Sequence, residues 1–330
     1  MKRRLLITFL ALLVLATAAY FGICAIVYAR LATVLPQCAG EFEGYTPAAF
    51  SAEHYRAELD VSAYVMPTYE AITIPSRDPK INLSAWFVPA DEPEAPTVLI
   101  THGRGVGVAD CKWNPRALLP AGMLHRAGYH VLLIDLREHG DSTIEDGFWA
   151  ANTEEYRDVL GAWDWLVKER GLTPERIGLF GYSGGTGASL IAMGQEPRIA
   201  AAWLDSVYAD INTAVTDMLV AGGYPAFLAP GGLLIARLHG DDLTAFSPQQ
   251  AAATINGRPI FITHSENDPV LPVKYAYQLE AALRAGGTNP TLWITHNEGH
   301  VRAMFEDMQA YEQRLIAFFD SALKPTPNAK

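Results

Sequence analysis

The sequence predicts an α/β domain with a mostly parallel sheet behind an N-terminal apolar helix, and three observations carry that prediction. Between residues 69 and 323, short β-branched runs alternate with longer helical segments, the pattern of strands joined by helical crossovers. No fixed-period repeat runs through the chain, which argues against a solenoid or propeller. Half of its 330 residues are hydrophobic, enough for a sizeable core.

Lys2, Arg3 and Arg4 precede an almost uncharged stretch from Leu5 to Ala29, closed by Arg30. At about 1.5 Å per helical residue this stretch covers a hydrocarbon core of roughly 30 Å. Residues 1–30 are therefore expected to anchor the chain. A cleaved signal peptide ending at Ala16-Thr17-Ala18 is the alternative, disfavoured because apolar residues continue to Tyr28. The basic cluster keeps the N-terminus cytoplasmic, so the expected topology is single-pass with an extracytoplasmic domain; cleavage would make that domain secreted.

Residues 31–68 mix Pro, Gly and acidic residues around one candidate helix, Ala48 to Leu59, and read as a stalk and lead-in. Eight strands follow, near 70–74, 83–88, 97–101, 130–135, 176–180, 199–204, 259–263 and 291–295. The turn at Pro75–Lys80 suits an antiparallel hairpin between the first two, with parallel pairing afterwards. Helices are expected at 117–127, 154–169, 184–193, 273–285 and 301–323. Residues 206–247 interrupt the alternation with apolar segments separated by glycines. Two helices there would form a small lid or line an acyl pocket above the strands; an ordinary crossover with an enlarged helical layer is the alternative. The polar tail, 324–330, is expected to fray.

A net charge of −11 and the lack of a long Lys/Arg run argue against a nucleic-acid surface. Of three cysteines, Cys24 lies in the apolar stretch, leaving Cys38 and Cys111 to pair outside or remain thiols. Neither Cys-X-X-Cys nor His-Glu-X-X-His occurs, so no metal site and no cofactor is expected.

The chemical signal is Gly181-Tyr182-Ser183-Gly184-Gly185, between the apolar run Ile177–Phe180 and a helical segment. A serine hydroxyl is a weak nucleophile unless exposed on a sharp turn beside a base, and Gly-X-Ser-X-Gly between strand and helix supplies that turn. Further motifs follow the strands: His102-Gly103-Arg104-Gly105, Asp135-Leu136-Arg137-Glu138-His139-Gly140-Asp141-Ser142, His264-Ser265-Glu266-Asn267-Asp268-Pro269-Val270 and Glu298-Gly299-His300. In this order they make residues 70–322 resemble the α/β-hydrolase superfamily, particularly its esterase and prolyl-oligopeptidase-like branches.

That resemblance implies an α/β-hydrolase fold, an eight-stranded mostly parallel sheet flanked by helices, here with an N-terminal transmembrane helix. It also implies a serine hydrolase in which Ser183 attacks, His300 moves the proton and Asp268 orients the imidazole. His296 is the alternative base, and Asp205 and then Glu266 are alternative acids. His102 is expected to be structural. The backbone N–H groups of Arg104 and Gly184 are the implied oxyanion hole, with the Arg104 side chain expected in solvent. Glu138 stands where related sequences often carry Gly, which puts that loop's geometry in question. The expected reaction is hydrolysis of a small-molecule carboxylic ester through an acyl-enzyme; a peptidase or thioesterase would use the same groups. A catalytically silent, membrane-anchored binding module is the reading from another class.

Overall fold

The computed structural model describes residues 2–35, 42, 44–104 and 110–324. Eight strands form one sheet in the order β1-β2-β4-β3-β5-β6-β7-β8: β1 (Glu70–Pro75), β2 (Asn82–Val88), β3 (Thr97–Thr101), β4 (His130–Ile134), β5 (Ile177–Tyr182), β6 (Ala201–Asp205), β7 (Ile260–Asn267) and β8 (Thr291–Glu298). β2 pairs antiparallel with both β1 and β4, and the remaining pairs are parallel. The central strands β3, β4, β5 and β6 are buried throughout. They read as continuous apolar runs because helices cover both faces of the sheet.

On one face lie α3 (Tyr156–Lys168), α4 (Gly184–Gln195) and α8 (Lys274–Ala285), whose Trp163, Leu190 and Leu279 pack with Leu99, Leu132 and Leu179. The other face carries α2 (Pro115–Arg126) and α10 (Met308–Leu323), where Leu118, Leu315 and Phe319 meet Ile100, Phe180 and Trp203. β3 crosses to β4 on one side, and β4 then crosses back to β5 on the other side of β3. The direction in which successive strands are added therefore reverses between the parallel neighbours β3 and β5, where α/β sheets open a crevice at the strands' C-terminal ends. The register Thr101↔Gly181 sets the loops bearing His102 and Ser183 side by side at that crevice.

Two expected helices differ. Residues 48–59 form separate turns, because the Ser51 hydroxyl accepts the Glu53 N–H and Phe50, Ala52 and Tyr55 are each buried against the domain. Tyr55 stacks on Phe305 at 4.1 Å between centroids, so this lead-in is part of the core surface and does not stand off as a stalk. The expected 301–323 helix divides into α9 (Ala303–Glu306) and α10. Asp307 leaves helical geometry and its carboxylate accepts the Ala310 N–H, starting the second helix with a cap.

Between β6 and β7, α5 (Ile211–Ala221) and α6 (Ala229–His239) form a cap, followed by α7 (Pro248–Ala252). The N-terminal helix α1 (Lys2–Ala32) holds an 18-residue window of mean hydropathy 2.5 and is long and apolar enough to cross a membrane. Its side chains are exposed as far as Ala19, whereas Cys24, Val27, Tyr28 and Ala32 pack against Leu219, Leu228 and Ala236 of the cap region. Gly231 admits this contact: a Cβ there would stand 2.3 Å from Cys24 Sγ. Beyond α1, Val34 N–H donates to Gly147 O and Trp149 N–H to Ala32 O, tying the helix end to the domain. Cys111 is disulfide-bonded. Cys38 and Gly105, both singled out in the sequence, lie outside the described residues, as does the tail beyond Lys324.

Candidate active site

The turn from β5 to α4 places Ser183 at φ 51°, ψ −124°, a conformation that a non-glycine residue holds only when its surroundings impose it. The imposition comes from packing. A Cβ on Gly185 would lie 2.3 Å from Thr101 O and 2.4 Å from His102 O, so only glycine lets α4 start this close to β3. Ser183 N–H donates to Asp205 O, fixing the turn against the next strand.

Ser183 Oγ lies 2.7 Å from His300 Nε2, and His300 Nδ1 lies 2.7 Å from Asp268 Oδ2. With Nδ1–H donating to the carboxylate, Nε2 is left to accept the serine proton. Asp268 is itself held: its Oδ1 accepts the N–H groups of Val270 and Leu271. Burial raises its carboxyl pKa, but the hydrogen bond and charge of His300, with the Leu271 N–H, outweigh that and hold it below the usual range. Three residues far apart in sequence thus form one connected relay.

The structure sets the alternatives elsewhere. His296 pairs with Glu266 at 2.9 Å on the surface. The Asp205 carboxylate accepts the hydroxyls of Tyr311 and Ser206, while His300 Nδ1 is taken by Asp268. Its carboxyl is pushed up to about 7, chiefly by complete burial, with the nearby Asp268 charge adding to it. His102 is structural: its Nε2 accepts Leu136 N–H and its Nδ1 bonds Gly103 O, joining the loops after β3 and β4. Burial lowers its pKa to about 4, so it is neutral.

Gly184 is the first residue of α4, so its N–H has no carbonyl one turn back to bond. Arg104 N lies 2.9 Å from the position a Cβ on Gly184 would take, so the two backbones meet directly beside Ser183. The expectation that the Arg104 side chain faces solvent is corrected. It is buried, with its guanidinium 5.1 Å over the Trp149 ring and one nitrogen donating to Thr33 O at 3.3 Å. Desolvation lowers its pKa to about 10, leaving it charged at neutral pH. The questioned loop accommodates Glu138 at φ 66° because its carboxylate accepts the N–H groups of Glu145 and Gly147.

Beside Ser183 runs a cleft walled by Trp149, Tyr208, Ile211, Ala214, Met218 and Leu271, with Arg104 the charged residue on its wall among the described residues. Sequence reasoning did not single out two supports. Ser206 Oγ accepts Val301 N–H at 3.1 Å, and Asn152 donates to both Gly184 O and the Tyr208 hydroxyl. Ser206 and Asn152 are at positive φ, which no local motif announced.

Residues 120–326 match the model of the prolyl oligopeptidase family. Protein YfhR of Escherichia coli O157:H7, itself uncharacterized, is 25% identical over 258 residues, covering 74% of this chain and 78% of YfhR. Dipeptidyl aminopeptidase BIII of Pseudoxanthomonas mexicana is 26% identical over 279 residues, 76% of this chain but 38% of that enzyme. Among solved structures, the Pyrococcus furiosus esterase Pf2001 superposes with a TM-score of 0.61 at 20% identity, covering 81% of this chain and 97% of the esterase. The Pyrococcus horikoshii acylaminoacyl peptidase gives 0.57 at 17% identity over 80% of this chain and 43% of the peptidase. The fold, the family model and the geometry around Ser183 lead to one assignment: this chain is a hydrolase of the α/β-hydrolase fold and belongs to the prolyl oligopeptidase family.

Proposed function

We propose that the protein is a membrane-anchored serine hydrolase that cleaves carboxylic esters through an acyl-enzyme on Ser183. The continuous relay Ser183–His300–Asp268, with both contacts at 2.7 Å, carries this reading. His300 takes the hydroxyl proton as Ser183 Oγ bonds to the acyl carbon. The resulting oxyanion receives the N–H groups of Arg104 and Gly184. His300 then protonates the leaving alcohol as the C–O bond breaks, and a water deprotonated by His300 releases the acid and restores Ser183. Asp268 keeps the imidazole in the required tautomer throughout.

The apolar cleft favours an acyl group over a charged peptide terminus: among the described residues its wall offers no carboxylate to receive an ammonium. Retention of α1 is supported by the helix running unbroken from Lys2 past Ala18 to Ala32, long and apolar enough to cross a membrane. The bonded state of Cys111 suits an oxidising, extracytoplasmic compartment, and Lys2, Arg3 and Arg4 keep the N-terminus inside.

The test compares p-nitrophenyl esters with matched peptide anilides on the full chain. Ester turnover that exceeds anilide turnover and vanishes in Ser183→Ala supports the proposal. Preferential anilide cleavage would make the protein a peptidase, and turnover of neither would favour a binding module.

A further inference from the structure

Next to the cleft beside Ser183 is a second apolar cavity, lined by Tyr28, Leu31 and Ala32 of α1, Gly232 and Leu233 of α6, and Leu243. The two adjoin: Arg104, Trp149, Ile211 and Met218 line both. The chain's own membrane-span candidate therefore forms a wall of the space that leads to the candidate nucleophile.

The helix also fixes where that space sits. The exposed apolar part of α1, Leu5 to Ala19, extends about 22 Å at 1.5 Å per residue, so a hydrocarbon core of roughly 30 Å reaches the turns where α1 packs on the domain. At the end of that span the cap begins. Tyr20 donates to Phe227 O, and their rings stack at 6.2 Å. Phe227 is 64% exposed, so a large aromatic side chain faces outward at the level where the apolar span meets the domain. From there α6 runs beside α1, Gly231 against Cys24 and His239 against Tyr28, towards the cavity at Leu31 and Leu233.

Resting on the serine-esterase reading above, we infer that the substrate is a long-chain acyl ester drawn from the bilayer that holds α1, its chain entering by widening the two adjoining apolar cavities, which hold about 20 and 40 Å³ as they stand. The wall that α1 gives the second cavity selects a lipid over a water-borne ester, because the helix that would sit in the bilayer also borders the space adjoining the cleft beside Ser183. Arg104 lies where the two cavities join; the methylene stem of its side chain can border the chain while its guanidinium stays on Trp149 and Thr33 O. Hydrolysis yields one fatty acid and one alcohol.

The experiment uses the full chain in phosphatidylcholine vesicles, with a p-nitrophenyl series from acetate to dodecanoate and monooleoylglycerol embedded in the vesicles. We expect kcat/KM to rise by at least about tenfold from acetate to dodecanoate, since each buried methylene favours binding. Leu233→Trp, which fills the second cavity, should shift the optimum to shorter chains, whereas Leu233→Ala should retain the long-chain preference. Phe227→Asp should lower the ratio of vesicle monooleoylglycerol to soluble butyrate turnover about fivefold or more. Fluorophosphonate labelling of each variant reports that its site is intact. A flat wild-type profile, or ratios unmoved in labelled Leu233→Trp and Phe227→Asp, would overturn the inference while leaving the esterase reading in place. Absence of both labelling and acetate turnover in the wild type would remove both.

Discussion

The Ser206 hydroxyl ties the base to the sheet: it accepts the N–H of Val301, the residue after His300, and donates to the buried Asp205. Val301 is at φ 53°, so the loop carrying His300 turns sharply where Ser206 holds it. Ser206→Ala is expected to cost about 1–2 kcal/mol of stability through the orphaned N–H. Its diagnostic effect is on rate: kcat should fall about threefold to tenfold with KM little changed, because a displaced imidazole affects the transition state more than binding. Unchanged kcat with lowered stability would mean that Ser206 supports the fold alone.

The two acidic candidates should separate in kinetics. Asp268→Asn removes the carboxylate from His300 Nδ1 and is expected to lower kcat by about three to four orders of magnitude. Asp205→Asn should cost about tenfold or less, since its bonds run to Tyr311 and Ser206. Equal losses would return Asp205 to candidacy.

Asp205 should also give the fold a pH signature. Burial pushes its carboxyl to about 7. Between about 3.9, the usual unfolded value, and that figure, the folded chain holds a proton that the unfolded chain releases. This contribution is full below the lower value and is lost as pH rises through the upper one. Thermal melts of wild type and Asp205→Asn should therefore diverge with rising pH, the wild type losing stability relative to the neutral variant. Parallel curves from pH 4 to about 7 would contradict a raised pKa.

Gly184→Ala tests the oxyanion pocket. Its Cβ would stand 2.9 Å from Arg104 N, in the space between the two proposed donors. A fall in kcat of about two to three orders of magnitude is expected with the fold retained, checked by circular dichroism alongside turnover. Wild-type kcat would place the oxyanion elsewhere.

The strand–helix alternation was legible because each element carries its own period, and Ser183 because its turn needs small residues at adjacent positions. Asp268 and His300 were legible through their order after successive strands. The burial of Arg104 was not: it depends on Thr33 and Trp149, brought together by the packing of α1, which no local pattern encodes. The same holds for Ser206, whose partner Val301 lies 95 residues away. At 48–59 apolar residues suggested a helix, but Phe50, Ala52 and Tyr55 bury into the domain from separate turns. At Asp307 the cap signal was local, yet the surrounding apolar periodicity masked it.

Ser183 is proposed as a nucleophile activated by His300. Treatment of the purified full chain with a fluorophosphonate, followed by peptide mapping, tests it most directly. A stoichiometric adduct on Ser183 is expected in the wild type, none in Ser183→Ala, and strongly slowed labelling in His300→Ala. An adduct on another residue, or wild-type labelling speed in His300→Ala, would contradict it.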